Sequence, residues 1–189
     1  FTEEPNRTLG FVCLCPGNYG TLTGFENVVC HEIGGHAIGH FADLYSRAGV
    51  TLSAEKVQGT KDMQAMGWYQ NVSVVNDKTQ CPWSQFFTAA EYSTYYTKVG
   101  LYEGARSANY GIWRPESDAT CMDDNRFHYD APSRYSIIKE LKECAGETLT
   151  WKDFVSKDYD RENSTFSLSR NFTSSGKVPM LPEPIIRRR

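Results

Sequence analysis

Apolar residues along this chain gather in a few short clusters set between polar, glycine- and proline-rich connectors, and their spacing predicts a mixed α+β architecture. Leu9 to Cys15 is a compact apolar run stopped by Pro16-Gly17-Asn18, the pattern of a buried strand ending in a turn. After a loop over Gly20 to Gly24, Phe25 to about Gly39 reads as a helix that Gly39 is placed to end. Ser53 to Met66 reads as a second helix, N-capped by Ser53 and stopping near Gly67. Val72 to Val75 fits a brief strand, Asn76 to Thr79 a turn, and Pro82 to Tyr92 a short amphipathic helix with proline in its first turn. Val99 to Arg114, aromatic-rich and broken by glycines, suggests a hairpin. Ala119 to Asn125 is a tight turn, and Ala131 to Cys144 a helix with Tyr135, Ile138 and Leu141 on one stripe. A short element over Trp151 to Val155 precedes a polar tail in which Pro179, Pro182 and Pro184 mark a linker. The expected division is one domain over 1–176 and a Pro-rich tail over 177–189.

Composition narrows the class. With 189 residues, 40% apolar and 13% aromatic, the chain can bury a core of its own without covalent staples. A net charge of −3 gives no argument for nucleic acid or an anionic membrane as partner. No apolar run approaches the roughly 20 residues a membrane-spanning helix needs. The missing initiator Met and the Arg187-Arg188-Arg189 end read as a piece excised from a longer protein with further domains. Six cysteines (Cys13, Cys15, Cys30, Cys81, Cys121 and Cys144) leave the pairing open. No Cys-x-x-Cys doublet occurs, which argues against a cysteine-built zinc knuckle.

The chemistry concentrates in Val28-Val29-Cys30-His31-Glu32-Ile33-Gly34-Gly35-His36-Ala37-Ile38-Gly39-His40-Phe41-Ala42-Asp43, which carries three of the four histidines. An apolar lead-in followed by His-Glu and a second His is the layout of a zinc-protease helix. There, two imidazoles on one face hold the ion, and the neighbouring Glu manages the proton of a water. His31 and His36 are five positions apart, however, where four is usual. At about 100° per residue, an i, i+5 pair on a regular α-helix is offset by about 140° and cannot share an ion. One wide turn absorbs the extra residue, and Gly34-Gly35 fall where it would have to be. A bulged helix with both rings on one face is therefore expected. His36 and His40 are four apart and offer a rival pair, but Ala37 follows His36 and supplies no general base. Incidental surface histidines are the third reading. His31 and His36 are the expected metal ligands and Glu32 the general base.

The segment from His31 to Tyr45 resembles the active-site stretch of the bacterial IgA-peptidase family of zinc metallo-endopeptidases, where His-Glu-x-x-His is followed by Gly and a Leu-Ala-Asp-Glu-Tyr-like run. Val99 to Ala105, Gly111 to Glu116 and Cys121-Met122 resemble that family's Gly-Leu-aromatic-Glu-Gly-Ala segment, its aromatic-Arg-Pro segment and its methionine turn. The likeness runs in order from about Leu9 to Pro184. Two departures stand out: Leu44 replaces a Glu frequent in the family, and the inserted glycine makes the motif similar to that of dipeptidyl peptidase III. The resemblance implies a metzincin-like domain lacking its N-terminal part, with active-site helix, methionine turn and C-terminal helix. It implies Zn2+ as cofactor, Asp43 as third ligand with His40 as rival, and Met122 as a packing floor beneath the ligands. Peptide-bond hydrolysis by an endopeptidase on a protein or peptide substrate follows, in a secreted, periplasmic or cell-surface setting. An inactive zinc-stabilised binding domain and an exopeptidase are the alternatives. Glu103 is open to a ligand-orienting role or a surface ion pair, and Tyr45, Tyr102 and Tyr110 are candidate oxyanion donors.

Overall fold

The computed structural model of the chain describes residues 7–9, 12–14, 22–92, 99–117, 120–124 and 128–158. The turn expected at Pro16-Gly17-Asn18 and the proline-rich tail over 177–189 lie outside them. Within them the architecture is α+β. Strands β1 (Arg7–Leu9) and β2 (Val12–Leu14) pair antiparallel. Helix α1 (Leu22–Val29) continues without a break into a π-helical segment, Cys30–Ile38. Helix α2 (Ala54–Ala65) follows, then two 3₁₀ turns, Ser84–Phe87 and Ala90–Tyr92. A second antiparallel pair, β3 (Tyr102–Ala105) with β4 (Ala108–Arg114), precedes the short helix α3 (Cys121–Asp124), α4 (Ala131–Cys144) and α5 (Trp151–Lys157). No helix among the described residues is long and apolar enough to cross a membrane.

The caps explain where the helices begin. Ser53 accepts from the Lys56 N–H, Asp130 from Ser133 and Thr150 from Asp153, each side chain satisfying an amide that the first turn leaves unpaired. Pro132 sits in the first turn of α4, where its missing N–H costs nothing.

Two apolar clusters hold the elements. One joins Phe41, Ala42, Leu44, Leu52, Val72, Ile112 and Met122 under the β3–β4 hairpin; the other joins Trp83, Phe86, Tyr92, Ala131 and Phe154. Full burial of side chains such as Leu44 and Ile112 stabilises by about 1.5–3 kcal/mol each. The hairpin turns through Arg106 (φ 48°) and Ser107 (φ 61°), between the paired Ala105 and Ala108. A two-residue hairpin of this kind needs positive φ at both central positions and ordinarily takes Asn-Gly there. The tip is tied down: the Arg106 N–H donates to the Asp43 carbonyl (3.0 Å) and the Ser107 N–H to that of Tyr45 (3.0 Å).

Several sequence expectations are corrected. The single strand over Leu9 to Cys15 is a pair of short strands starting at Arg7, and α1 starts at Leu22, not Phe25. Pro82 to Tyr92 forms two 3₁₀ turns because its aromatic residues point into the second cluster from irregular backbone, not from one helical face. Val72 to Val75 makes one isolated bridge, Ser73 to Trp113. The α4 stripe is not buried along its length: Ile138 is 38% and Leu141 50% exposed, and only the first turns pack inward. The helix does end at Gly39, as expected, but Gly39 keeps a helical φ of −76° and it is His40, at φ 51°, that turns the chain out of it. Gly39 is needed for space, since a Cβ there would lie 2.6 Å from the Phe41 ring.

Candidate metal centre

The widened helix brings His31 and His36 onto one side. The Gly39 N–H donates to the Gly34 carbonyl five residues back (2.9 Å), the i to i−5 bond that defines the wide turn. The two rings meet edge to face with centroids 4.9 Å apart. Gly34 and Gly35 supply more than compliance. A Cβ at Gly34 would lie 2.6 Å from the Tyr129 hydroxyl, and one at Gly35 would collide with the Met122 sulfur. The π segment thus packs flush on α3 and on the residues leading into α4, and side chains larger than hydrogen are excluded on that face.

Past His40 the chain returns, and Asp43 faces both rings. Its Oδ1 lies 3.2 Å from His31 Nε2 and 3.3 Å from His36 Nε2. The far side of each ring is already committed. His31 Nδ1 donates to the Cys121 carbonyl (2.7 Å) and His36 Nδ1 to the Phe41 carbonyl (2.8 Å). With Nδ1 as donor, a neutral imidazole presents its Nε2 lone pair, so acceptors converge on an acceptor. Only a cation between them, a proton or a metal ion, makes this favourable. Two donors about 2.0–2.1 Å from a tetrahedral zinc are separated by about 3.3 Å, which matches both contacts. A hydrogen bond from a protonated ring, at the long end of its range, accounts for the same contacts when no metal is bound.

Glu32 is 2% exposed. Ligand atoms of His31, Glu32 and His36 lie within 4.8 Å of one another, so this group can hold a metal ion. Asp43 adds a fourth donor through its direct contacts with both rings. Its second oxygen, Oδ2, accepts from the Tyr45 hydroxyl (3.1 Å). Without a metal, burial would raise the Asp43 carboxyl, but hydrogen bonds to His31 and His36 hold it far below the usual carboxylate range. His36 moves up despite the opposing effect of burial, because Asp43 bonds to it and charges it. Burial and the Asp43 charge push the Tyr45 hydroxyl up, keeping it a donor.

The remaining candidates are placed as follows. The His40 ring stacks on Trp68 (4.5 Å between centroids, 8° between planes), away from the cluster. Glu103 accepts from the Gly111 N–H within its own hairpin (2.8 Å). Tyr110 is 50% exposed. Met122 is fully buried against Gly35, and its carbonyl accepts from the Leu44 N–H (2.7 Å). Among the described residues, Cys30, Cys81, Cys121 and Cys144 form no disulfide.

Three further residues support the site, and of them only Arg114 lies in a segment the sequence singled out. Buried Asn71 grips Ala42 by both its N–H (2.9 Å) and its carbonyl (2.7 Å), fixing the segment that delivers Asp43. Tyr129 donates to the Cys30 carbonyl at the start of the π segment. Arg114 spans the Leu44 carbonyl (3.1 Å) and the Asp123 carboxylate (2.7 Å), tying the return segment to α3. Each acts on backbone remote in sequence, so no local spacing announces that role. Comparisons with protein-family models and with curated proteins find no match to this chain. What the fold and the cluster define is an α+β domain with a buried group of histidine and carboxylate donors able to hold a metal ion.

Proposed function

We propose that the chain is a zinc-dependent endopeptidase of metzincin-like type, related to the bacterial IgA-peptidase family. One observation supports the reading: the two imidazole Nε2 atoms converge on a single carboxylate oxygen, Asp43 Oδ1, at 3.2 and 3.3 Å. His31, His36 and Asp43 would hold the ion, a His, His, carboxylate set that suits hydrolytic zinc and leaves a fourth position open. When bound, zinc acidifies water and polarises a carbonyl. Glu32, buried beside His31, takes the proton from the attacking water and returns it to the leaving amine. Cys121 and Phe41 fix the tautomers through their carbonyls, so that both Nε2 atoms stay available as ligands. Tyr45 bonds Asp43 Oδ2 and keeps Oδ1 turned toward the rings.

Replacing Glu32 by Gln tests the assignment. The variant should bind zinc as tightly as the unaltered chain while hydrolysis of an unfolded protein falls by about 10²–10⁴-fold, the usual contribution of a general base. Loss of zinc from this variant would make Glu32 a ligand and sink the assigned roles. A native chain that binds zinc and cleaves nothing would instead be a binding domain.

A further inference from the structure

Beside the candidate ligands lies a cavity of about 190 Å³, lined by His36, Asp43, Lys56, Tyr69, Arg106 and Ser107 among others. Asp43 is assigned to the metal, so the charges left to the cavity are two cations, Lys56 from the first turn of α2 and Arg106 from the hairpin tip. Among the described residues neither is in an ion pair.

Arg106 is held there at some conformational expense. It occupies the first left-handed position of a turn that ordinarily takes Asn-Gly, and such backbone positions concentrate at binding and catalytic sites. Its guanidinium lies over the Tyr69 ring, 4.9 Å from the centroid. Nη1 donates to the Lys56 carbonyl (3.2 Å) and to the hydroxyl of Thr60, which is fully buried. The rest of the planar fork remains for an acceptor, and a guanidinium fixed in advance loses little freedom on binding one.

We propose that this cavity is a recognition subsite for a carboxylate of the peptide substrate, received by Arg106 and Lys56 next to the metal centre. The proposal rests on the hydrolase reading above and names the substrate chemistry of the same site. The carboxylate comes either from an Asp or Glu side chain beside the scissile bond or from the free C-terminus of a short peptide. The two sources share the chemistry and differ in where cleavage would fall.

The test is peptide binding to zinc-loaded full chain carrying Glu32→Gln, so that the bound peptide is not consumed, read by fluorescence anisotropy. The probes are labelled peptides with one Glu or Gln scanned along their length, each with a free or an amidated C-terminus. One carboxylate should tighten binding about tenfold, the effect of a single charge-assisted hydrogen bond. An internal Glu dependence marks the side chain as source, and a free-acid dependence marks the C-terminus. Arg106→Gln should remove most of that gap. Lys56→Gln, on an exposed helical turn where misfolding is not expected, should narrow it, and Lys56→Glu should invert it in favour of a Lys-bearing peptide. Equal binding of all peptides, or a preference that survives all three variants, overturns the subsite even if the chain with Glu32 intact cleaves protein. A carboxylate preference in a chain that, with Glu32 intact, hydrolyses no peptide sustains the subsite and overturns the hydrolase reading alone.

Discussion

Asp43 illustrates how much can hang on a single oxygen. Oδ1 faces both imidazoles while Oδ2 is held by Tyr45, so removing the carboxylate leaves two lone pairs aimed at empty space. Asp43→Ala should weaken zinc binding by at least ~100-fold, beyond the range typical of residues that only orient a ligand. His40→Ala should leave affinity within about threefold, because that ring spends its surface on Trp68; competition with a fluorescent chelator reads both. A larger loss from His40 than from Asp43 would reverse the ligand assignment. His31, Glu32 and His36 were legible in the sequence because they fall within six consecutive positions, whereas Asp43, seven positions past His36, was reached through the family resemblance. Asn71 and Tyr129 were not legible, nor was the supporting role of Arg114. They bond backbone 29, 99 and 70 positions away, and a side chain that holds distant backbone leaves no spacing to read.

At the level of the element, the π segment is a packing solution as much as a geometric one. The sequence revealed that a wide turn was needed and that Gly34-Gly35 would host it. It could not reveal that Met122 and Tyr129 press against those glycines, because that closeness exists only once α3 and α4 have docked. Gly35→Ala should therefore destabilise by about 1–3 kcal/mol through overpacking. Met122→Ala alone should cost about 2–5 kcal/mol through the cavity it leaves. Combined, the two should cost less than their sum, since the new methyl enters the space the sulfur vacates. Chemical denaturation of the four proteins gives the coupling directly, and strict additivity would mean that the two residues do not share that space. Elsewhere the legibility of elements followed a cap or a clear apolar period. Ser53 announced α2, and α4 was read from its apolar stripe without its Asp130 cap, whereas the 3₁₀ turns over Ser84–Phe87 and Ala90–Tyr92, built by aromatic packing, looked like one helix.

Across the whole molecule, a buried polar layer connects the metal-centre cluster to the aromatic one. Arg134 bonds Asp158 through Nε (2.8 Å) and Nη2 (2.9 Å), and Tyr92 donates to the same carboxylate (2.7 Å). Next to them Glu116, His128 and Asp130 share a site in which Glu116 Oε1 and Asp130 Oδ2 are buried without a partner among the described residues. Glu116 bonds His128 (3.4 Å) and raises the imidazole above its ordinary value, against burial and the Arg134 charge. Burial, helped by the Glu116 charge, pushes the Asp130 carboxyl up to about 6. In both cases the folded state holds a proton more tightly than the unfolded chain, so stability falls as pH rises. For Asp130 the loss runs from the ordinary carboxylate range near 4 up to about 6. For His128 the contribution is complete below about 6.5 and is lost as pH passes the raised value. The melting temperature should accordingly drop by a few degrees between about pH 5 and pH 8. Asp130→Asn, which keeps an N-cap acceptor for Ser133, should remove the lower part of that decline. Glu116→Gln should flatten the His128 part and only reduce the Asp130 part, which burial sustains. The Cys121 N–H donates to the His128 carbonyl (2.6 Å) while the Cys121 carbonyl accepts from His31, a short backbone path from this site to a candidate ligand. Comparing each variant with the native chain at every pH cancels the titration of the metal-site histidines, and a native melting curve that climbs over this range relative to Glu116→Gln would refute the assignment of the two raised groups.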